Sequence, residues 1–143
     1  MEYRFFPTGT MDVQEFRRLC EISFHQKNNE ILPSNVVVIY EDGKYVGFFD
    51  LSMLGQTSVY LKYIGFSEFT PSTLRWCKGA IEYVHSLGYE KIFGGILENN
   101  RLALIWALRQ GFRVMGFKVI DGIGTVEIIK DPKKTGSYKR GLL

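Results

Sequence analysis

Cysteine and histidine are scarce, with two of each in 143 residues. Cys20 and Cys77 cannot build a disulfide framework, and with so few histidines no four-ligand zinc site or other metal centre is expected. No apolar run approaches the roughly 18 residues that span a membrane; the longest, Leu102 to Leu108, has seven. The opening stretch MEYRFFPTGT lacks a basic region followed by an apolar one, so no signal peptide is expected and the location is read as cytoplasmic. Charged residues at 23% and hydrophobic residues at 45% exclude a disordered chain. At this length one domain is expected, burying roughly 70% of its unfolded surface.

The body of the chain also lacks an excess of either charge. The formal charge is +3, from 18 Lys and Arg against 15 Asp and Glu. The last thirteen residues, DPKKTGSYKRGLL, hold Lys133, Lys134, Lys139 and Arg140 against Asp131, which leaves fourteen basic and fourteen acidic residues in 1–130. A neutral body does not resemble a nucleic-acid-binding domain, which clusters Lys and Arg on a face. The reading is therefore a domain over 1–130 and a basic, flexible tail over 131–143, to which any nucleic-acid contact would be confined. An enzyme that draws in a polyanionic cofactor would gain from a basic body, so this balance weighs against catalysis.

Aromatics, by contrast, are plentiful at 15%. Glu2 to Phe6 reads as a first strand, closed by Pro7 and Gly9. Asp12 with Glu15 forms a capping-box start, and Val13, Phe16, Leu19, Cys20 and Phe24 recur at helical spacing. Gln26 to Ser34 is polar and reads as a connection. Val36 to Tyr40 and Tyr45 to Leu51 flank Asp42–Gly43, a strong hairpin signal. Ser58 to Gly65 is another strand. Thr70 and Pro71 then open a helix whose core stripe is Leu74, Cys77, Ile81 and Val84, stopped by Gly88. Lys91 to Leu97 is a short strand with a Gly94–Gly95 pair. Asn99 or Asn100 caps a helix over Arg101 to Gln110 that is apolar nearly all round and is expected to be buried on several sides. Arg113 to Lys118 and Gly124 to Lys130 flank a last turn at Asp121–Gly122. The order is β-α-β-β-β-α-β-α-β-β, an α/β domain with a mixed sheet.

Asn100, Ala103 and Gly111–Phe112 form a spaced pattern: a cap, a small residue open to close approach, and a helix stop before a strand. With the element order, the segment ILENNRLALIWALRQGFRVMGFK resembles the second half of the GNAT superfamily of acyl-CoA N-acyltransferases. The hairpin EDGKYVGFFDL resembles that family's second and third strands. The resemblance covers residues 1 to about 130. It implies a single-domain GNAT-like fold, with a mixed, mostly antiparallel sheet splayed between its central strands and flanked by helices. It implies binding of acetyl-CoA or another acyl-CoA, and acyl transfer to a small-molecule or protein amine. Gly94 and Gly95 suit the splay, or equally a bulge or packing under an aromatic.

By the same carry-over, backbone amides around Lys62, Tyr63 and Ile64 would polarise the thioester carbonyl, Asn100 and Ala103 would line the cofactor arm, and Ser72, Thr73 and Leu74 would meet the pyrophosphate. Two departures stand out. The family's pyrophosphate motif, Q/R-x-x-G-x-G/A, falls on Glu68-Phe69-Thr70-Pro71-Ser72-Thr73, where Glu68 replaces a basic or amide residue and Pro71 supplies no N–H. Lys62 and Arg75 could restore some charge. Many members carry a Tyr seven residues after the Asn to protonate the leaving thiolate; here that position is Ala107, beside Trp106. A thiolate with a pKa near 8.5 already leaves fairly well. For the base that deprotonates the amine, Tyr63 and Glu98 are candidates, along with Tyr60 and Asp50.

Two rival readings stand beside this one. A non-catalytic GNAT-like domain could serve as a structural or partner-binding component of an assembly such as a phage particle, then virion-associated and attached through its tail. GKYVGFF shares its glycines and aromatics with the RNP1 strip of RNA-recognition modules, but Gly43 belongs to a turn and the element order differs. The late strands and surplus aromatics fit a homodimer.

Overall fold

Ten elements follow one another in the order read from the sequence. The computed structural model describes residues 1–24, 32–68 and 70–132. The polar connection over 26–31, Phe69 and the basic tail beyond Pro132 lie outside these described residues. The elements are β1 (Glu2–Phe6), α1 (Val13–Phe24), β2 (Asn35–Glu41), β3 (Lys44–Met53), β4 (Ser58–Phe66), α2 (Pro71–Ser86), β5 (Lys91–Leu97), α3 (Arg101–Arg109), β6 (Arg113–Ile120) and β7 (Ile123–Lys130).

The strands form one sheet in the order β1-β2-β3-β4-β5-β7-β6. Every neighbouring pair is antiparallel except β4 with β5. The two hairpin turns close as the Asp–Gly pairs require, with positive φ at Asp42 (51°), Gly43 (79°), Asp121 (52°) and Gly122 (77°).

Both faces of the central strands are covered, which is why Val36 to Ile39 form an unbroken apolar run with no exposed surface. Side chains alternate between the faces. Val37, Ile39, Phe49 and Leu51 join Trp76, Cys77, Ala80, Ile81 and Val84 of α2. Val36, Val38 and Phe48 join Phe16, Leu19 and Cys20 of α1. The start of α1 is capped as expected, the Glu15 amide donating to Asp12 Oδ2 at 3.1 Å. The Glu15 carboxylate does not reach back to complete the box; it pairs with Arg18.

Two expectations are corrected. Leu74, expected in the core stripe of α2, is exposed, and the stripe is instead made by Trp76, Cys77, Ala80, Ile81 and Val84. Helix α3 is not buried on several sides: Leu102 is 82% exposed, and Ile105 and Leu108 also face outward. A nine-residue helix meets the sheet along one face only, and Ala107 is its one fully buried residue. Its apolar periodicity therefore overstated its burial. The helix ends as predicted, with the Gly111 amide donating to Leu108 O and the Phe112 amide to Ala107 O. That reverse closure needs the left-handed backbone of Gly111 (φ 91°).

Candidate functional site

The parallel β4–β5 pair starts as a ladder and then opens. Ser58, Val59, Tyr60 and Leu61 pair with Lys91, Ile92, Phe93 and Gly94, and the pairing stops there although both strands continue. The cause lies on the other side of β4. Against β3 the register jumps from Leu51↔Leu61 to Asp50↔Tyr63, which leaves Lys62 as an extra, bulged residue. A bulge bends its strand and sharpens its twist. From Lys62 onward β4 turns away from β5.

The gap is a cleft of about 180 Å³. Lys62, Tyr63 and Ile64 form one wall, Gly94, Gly95 and Ile96 the other, and Ala103 and Trp106 of α3 line it with Ile128. Four of the residues carried over from the family pattern, Lys62, Tyr63, Ile64 and Ala103, thus lie together. Asn100 stands at the end of α3, where its side chain accepts from the Ala103 amide at 3.2 Å. It fixes the helix end that presents Ala103.

Trp106 forms part of the wall and does not fill the cleft, and Tyr63 is 41% exposed. Sequence spacing could not show that Trp106 faces the cleft while Ala107 turns into the core. The Trp106 side chain lies beside Cys77. Burial pushes the Cys77 thiol up to about 12, a shift that the Trp106 side chain only partly offsets. Cys20 is pushed up to about 11, mainly by burial and also by the Asp50 charge. Neither thiol is a nucleophile near neutral pH. Gly95 serves both roles proposed for it: it lines the cleft and lies beneath Tyr60.

The other candidate bases differ in setting. Glu98 lies at the end of β5 with its carboxylate against Gly124, away from the cleft walls. Asp50 is fully buried opposite Tyr63. One of its oxygens accepts from the Ser34 amide at 3.0 Å, and the other has no partner. Burial raises its pKa, opposed by the Ser34 amide and the Lys62 charge. The Lys62 ammonium itself donates to Ser34 Oγ at 3.2 Å.

The N-terminus of α2 opens onto a separate recess of about 360 Å³ that includes Ser72. Its charged lining is Glu41, Asp42 and Glu68 against Lys44. Sequence reasoning identified Glu68 but missed Glu41 and Asp42, which arrive through the β2–β3 turn; no local signal links that turn to a helix thirty residues on. Thr73 is buried, and its backbone amide and hydroxyl are both engaged with Thr70. Leu74 is 36% exposed and Arg75 points to solvent. Among the described residues no His, Cys, Asp and Glu cluster could hold a metal ion, and no helix is long and apolar enough to cross a membrane.

No protein-family model matches the chain, and no curated protein matches it in sequence. Solved structures do. An acetyltransferase of Bacillus subtilis in complex with CoA superposes with a TM-score of 0.67 at 16% identity, covering 92% of this chain and 100% of that one. A chimeric spermidine N-acetyltransferase from Vibrio cholerae gives 0.72 at 14%, over 92% and 96% of the two chains. A GNAT family acetyltransferase from Elizabethkingia anophelis with acetyl-CoA bound gives 0.65 at 13%, over 91% and 98%. The strand order, the opening between β4 and β5 and these superpositions together show that the chain has the GNAT fold.

Proposed function

We propose that this protein is an acyl-CoA-dependent N-acyltransferase. The observation that carries the reading is the bulge at Lys62 together with the open β4–β5 cleft. A bulge frees backbone groups from the ladder at the point where a thioester carbonyl would lie, and amides around Lys62 to Ile64 would stabilise the negative charge that develops on its oxygen. Beyond Leu61 and Gly94 the facing strand edges make no ladder with each other, so an extended arm bearing amides can lie along them as a strand would. Asn100 and Ala103 would support that arm from α3.

The acceptor amine attacks the thioester carbon, the new C–N bond forms, the C–S bond breaks, and the sulfur leaves as a thiolate. The proton shed by the amine passes to a base. Of the candidates, Tyr63 is favoured because it lines the cleft, whereas Glu98 does not. No Tyr stands at position 107, so the departing thiolate would leave unprotonated, which its pKa near 8.5 permits. CoA and acetyl-CoA, bound in two of the similar structures, support this choice of donor class. Calorimetry with acetyl-CoA is the test. Micromolar binding is expected; a folded protein that binds none at millimolar ligand would overturn the reading.

A further inference from the structure

A nucleotide diphosphate must be met by donors or cations, and the recess at the end of β4 has few to offer. A helix leaves four amides without intrahelical partners at its N-terminus. In α2 these belong to Thr70, Pro71, Ser72 and Thr73. The Thr70 amide donates to Thr73 Oγ1 at 2.9 Å. Pro71 has no N–H. The Thr73 amide donates to Thr70 O at 2.9 Å. Among the described residues, the Ser72 amide is the one of the four left without such a partner. The hydroxyls are turned inward as well, Thr70 Oγ1 lying 2.8 Å from Ser72 Oγ and Thr73 Oγ1 donating to Glu68 O.

The charges point the same way. Glu41, Asp42 and Glu68 share the recess with one cation, Lys44. Arg75 lies on the next turn of the helix, exposed and outside the recess lining. The lysine nearest the cleft, Lys62, is held by Ser34. The positive end of the helix dipole therefore faces three carboxylates, which repel a diphosphate. The β4–β5 cleft, which shares no lining residue with this recess, lacks these defects: its walls are mostly apolar, and the strand edges that face each other across it make no ladder.

We infer that this protein recognises its donor through the acyl-pantetheine thioester and gains little from the nucleotide diphosphate, so that pantetheine thioesters without the nucleotide are bound nearly as well as acyl-CoA. The inference rests on the acyl-transfer reading above and narrows its donor. Thr70, Pro71 and Glu68 are the residues that set it.

The experiment compares acetyl-CoA, S-acetyl-4′-phosphopantetheine and S-acetylpantetheine by calorimetry on the folded, full chain. The three dissociation constants are expected to fall within tenfold of one another. A loss greater than tenfold on removing the nucleotide overturns this inference and leaves the acyltransferase reading standing. Failure of all three to bind overturns both. In a second arm, Glu68→Arg should tighten acetyl-CoA while leaving S-acetylpantetheine unchanged. An equal change in both ligands, or a change in neither, overturns the inference.

Discussion

The Tyr60 hydroxyl occupies the space that a side chain at position 95 would need: a Cβ on Gly95 would stand 2.7 Å from Tyr60 Oη and 3.0 Å from Thr125 Cγ2. The contact crosses from β4 to β5 next to the point where the two strands part. Gly95→Ala must displace the far end of Tyr60, a modest overpacking strain of about 1 kcal/mol. It also crowds the cleft wall. We expect a small loss in denaturation midpoint and at least a tenfold weaker affinity for acetyl-CoA. Tyr60→Phe in the same chain should recover the stability by removing the clashing oxygen. A Gly95→Ala protein with unchanged affinity would show that the donor does not pass this wall.

Asp50 gives a pH prediction. Burial raises its pKa above the ordinary 3.8, so the folded chain holds this proton more tightly than the unfolded chain does. The unfolded state therefore binds fewer protons above about pH 4, and the group costs stability progressively as pH rises through the window between the two values. Asp50→Asn removes that dependence. Urea titrations between about pH 4 and pH 7.5 should show the variant gaining on wild type as pH rises, with no gain at the acidic end. A constant difference across this range would mean that the carboxyl titrates alike in both states.

The two tryptophans report on different places. Trp76 is 1% exposed within the core, whereas Trp106 lines the cleft. S-acetylpantetheine should therefore change the emission of Trp106 and leave that of Trp76, which edges the separate α2 recess, alone. In Trp106→Phe the ligand-induced change should vanish while the buried component persists. A change that survives the substitution would place the ligand elsewhere.

Asn100→Ala removes the side-chain acceptor for the Ala103 amide. Loss of such a cap costs about 1 kcal/mol. Asn100→Asp keeps an acceptor and adds a charge favoured at a helix N-terminus, so it should match or exceed wild-type stability. Chemical denaturation of the two variants separates capping from any effect on ligand binding. Equal destabilisation by Ala and Asp would rule out the cap as the source.

Much of this architecture is readable from short-range chemistry. Asp42–Gly43, Thr70–Pro71 and Asn100 with Gly111 each fix a turn or a helix end within a few residues, and those marks set the element order. The opening of the cleft is different. Nothing in SVYLKYIGF marks Lys62 as the bulged residue, because the extra residue is defined only against β3. The burial of α3 was misjudged because its apolar residues surround the helix and do not say which face meets the sheet. The choice between Trp106 and Ala107 for the cleft is likewise made by packing, on nearby Phe112 and on Cys77, which lies about thirty residues away in sequence. The acidic recess needed Glu41 and Asp42 to meet Glu68 through a hairpin, a contact between segments that no local pattern encodes.

The opening between β4 and β5 also divides the sheet mechanically. β1 to β4 with α1 form one leaf, and β5, β7 and β6 form the other; four residue pairs, Ser58 to Leu61 with Lys91 to Gly94, make the ladder between them. Backbone pairing between the leaves is confined to that short seam, while the core beneath α2, which also takes in Ile92, Phe112 and Ile128, joins them by side-chain packing; local opening should begin at the free end of the seam. A ligand seated in the gap would bind both leaves at once. Amide exchange across the seam would then slow on ligand binding, most of all beyond Leu61 and Gly94 where the ladder ends.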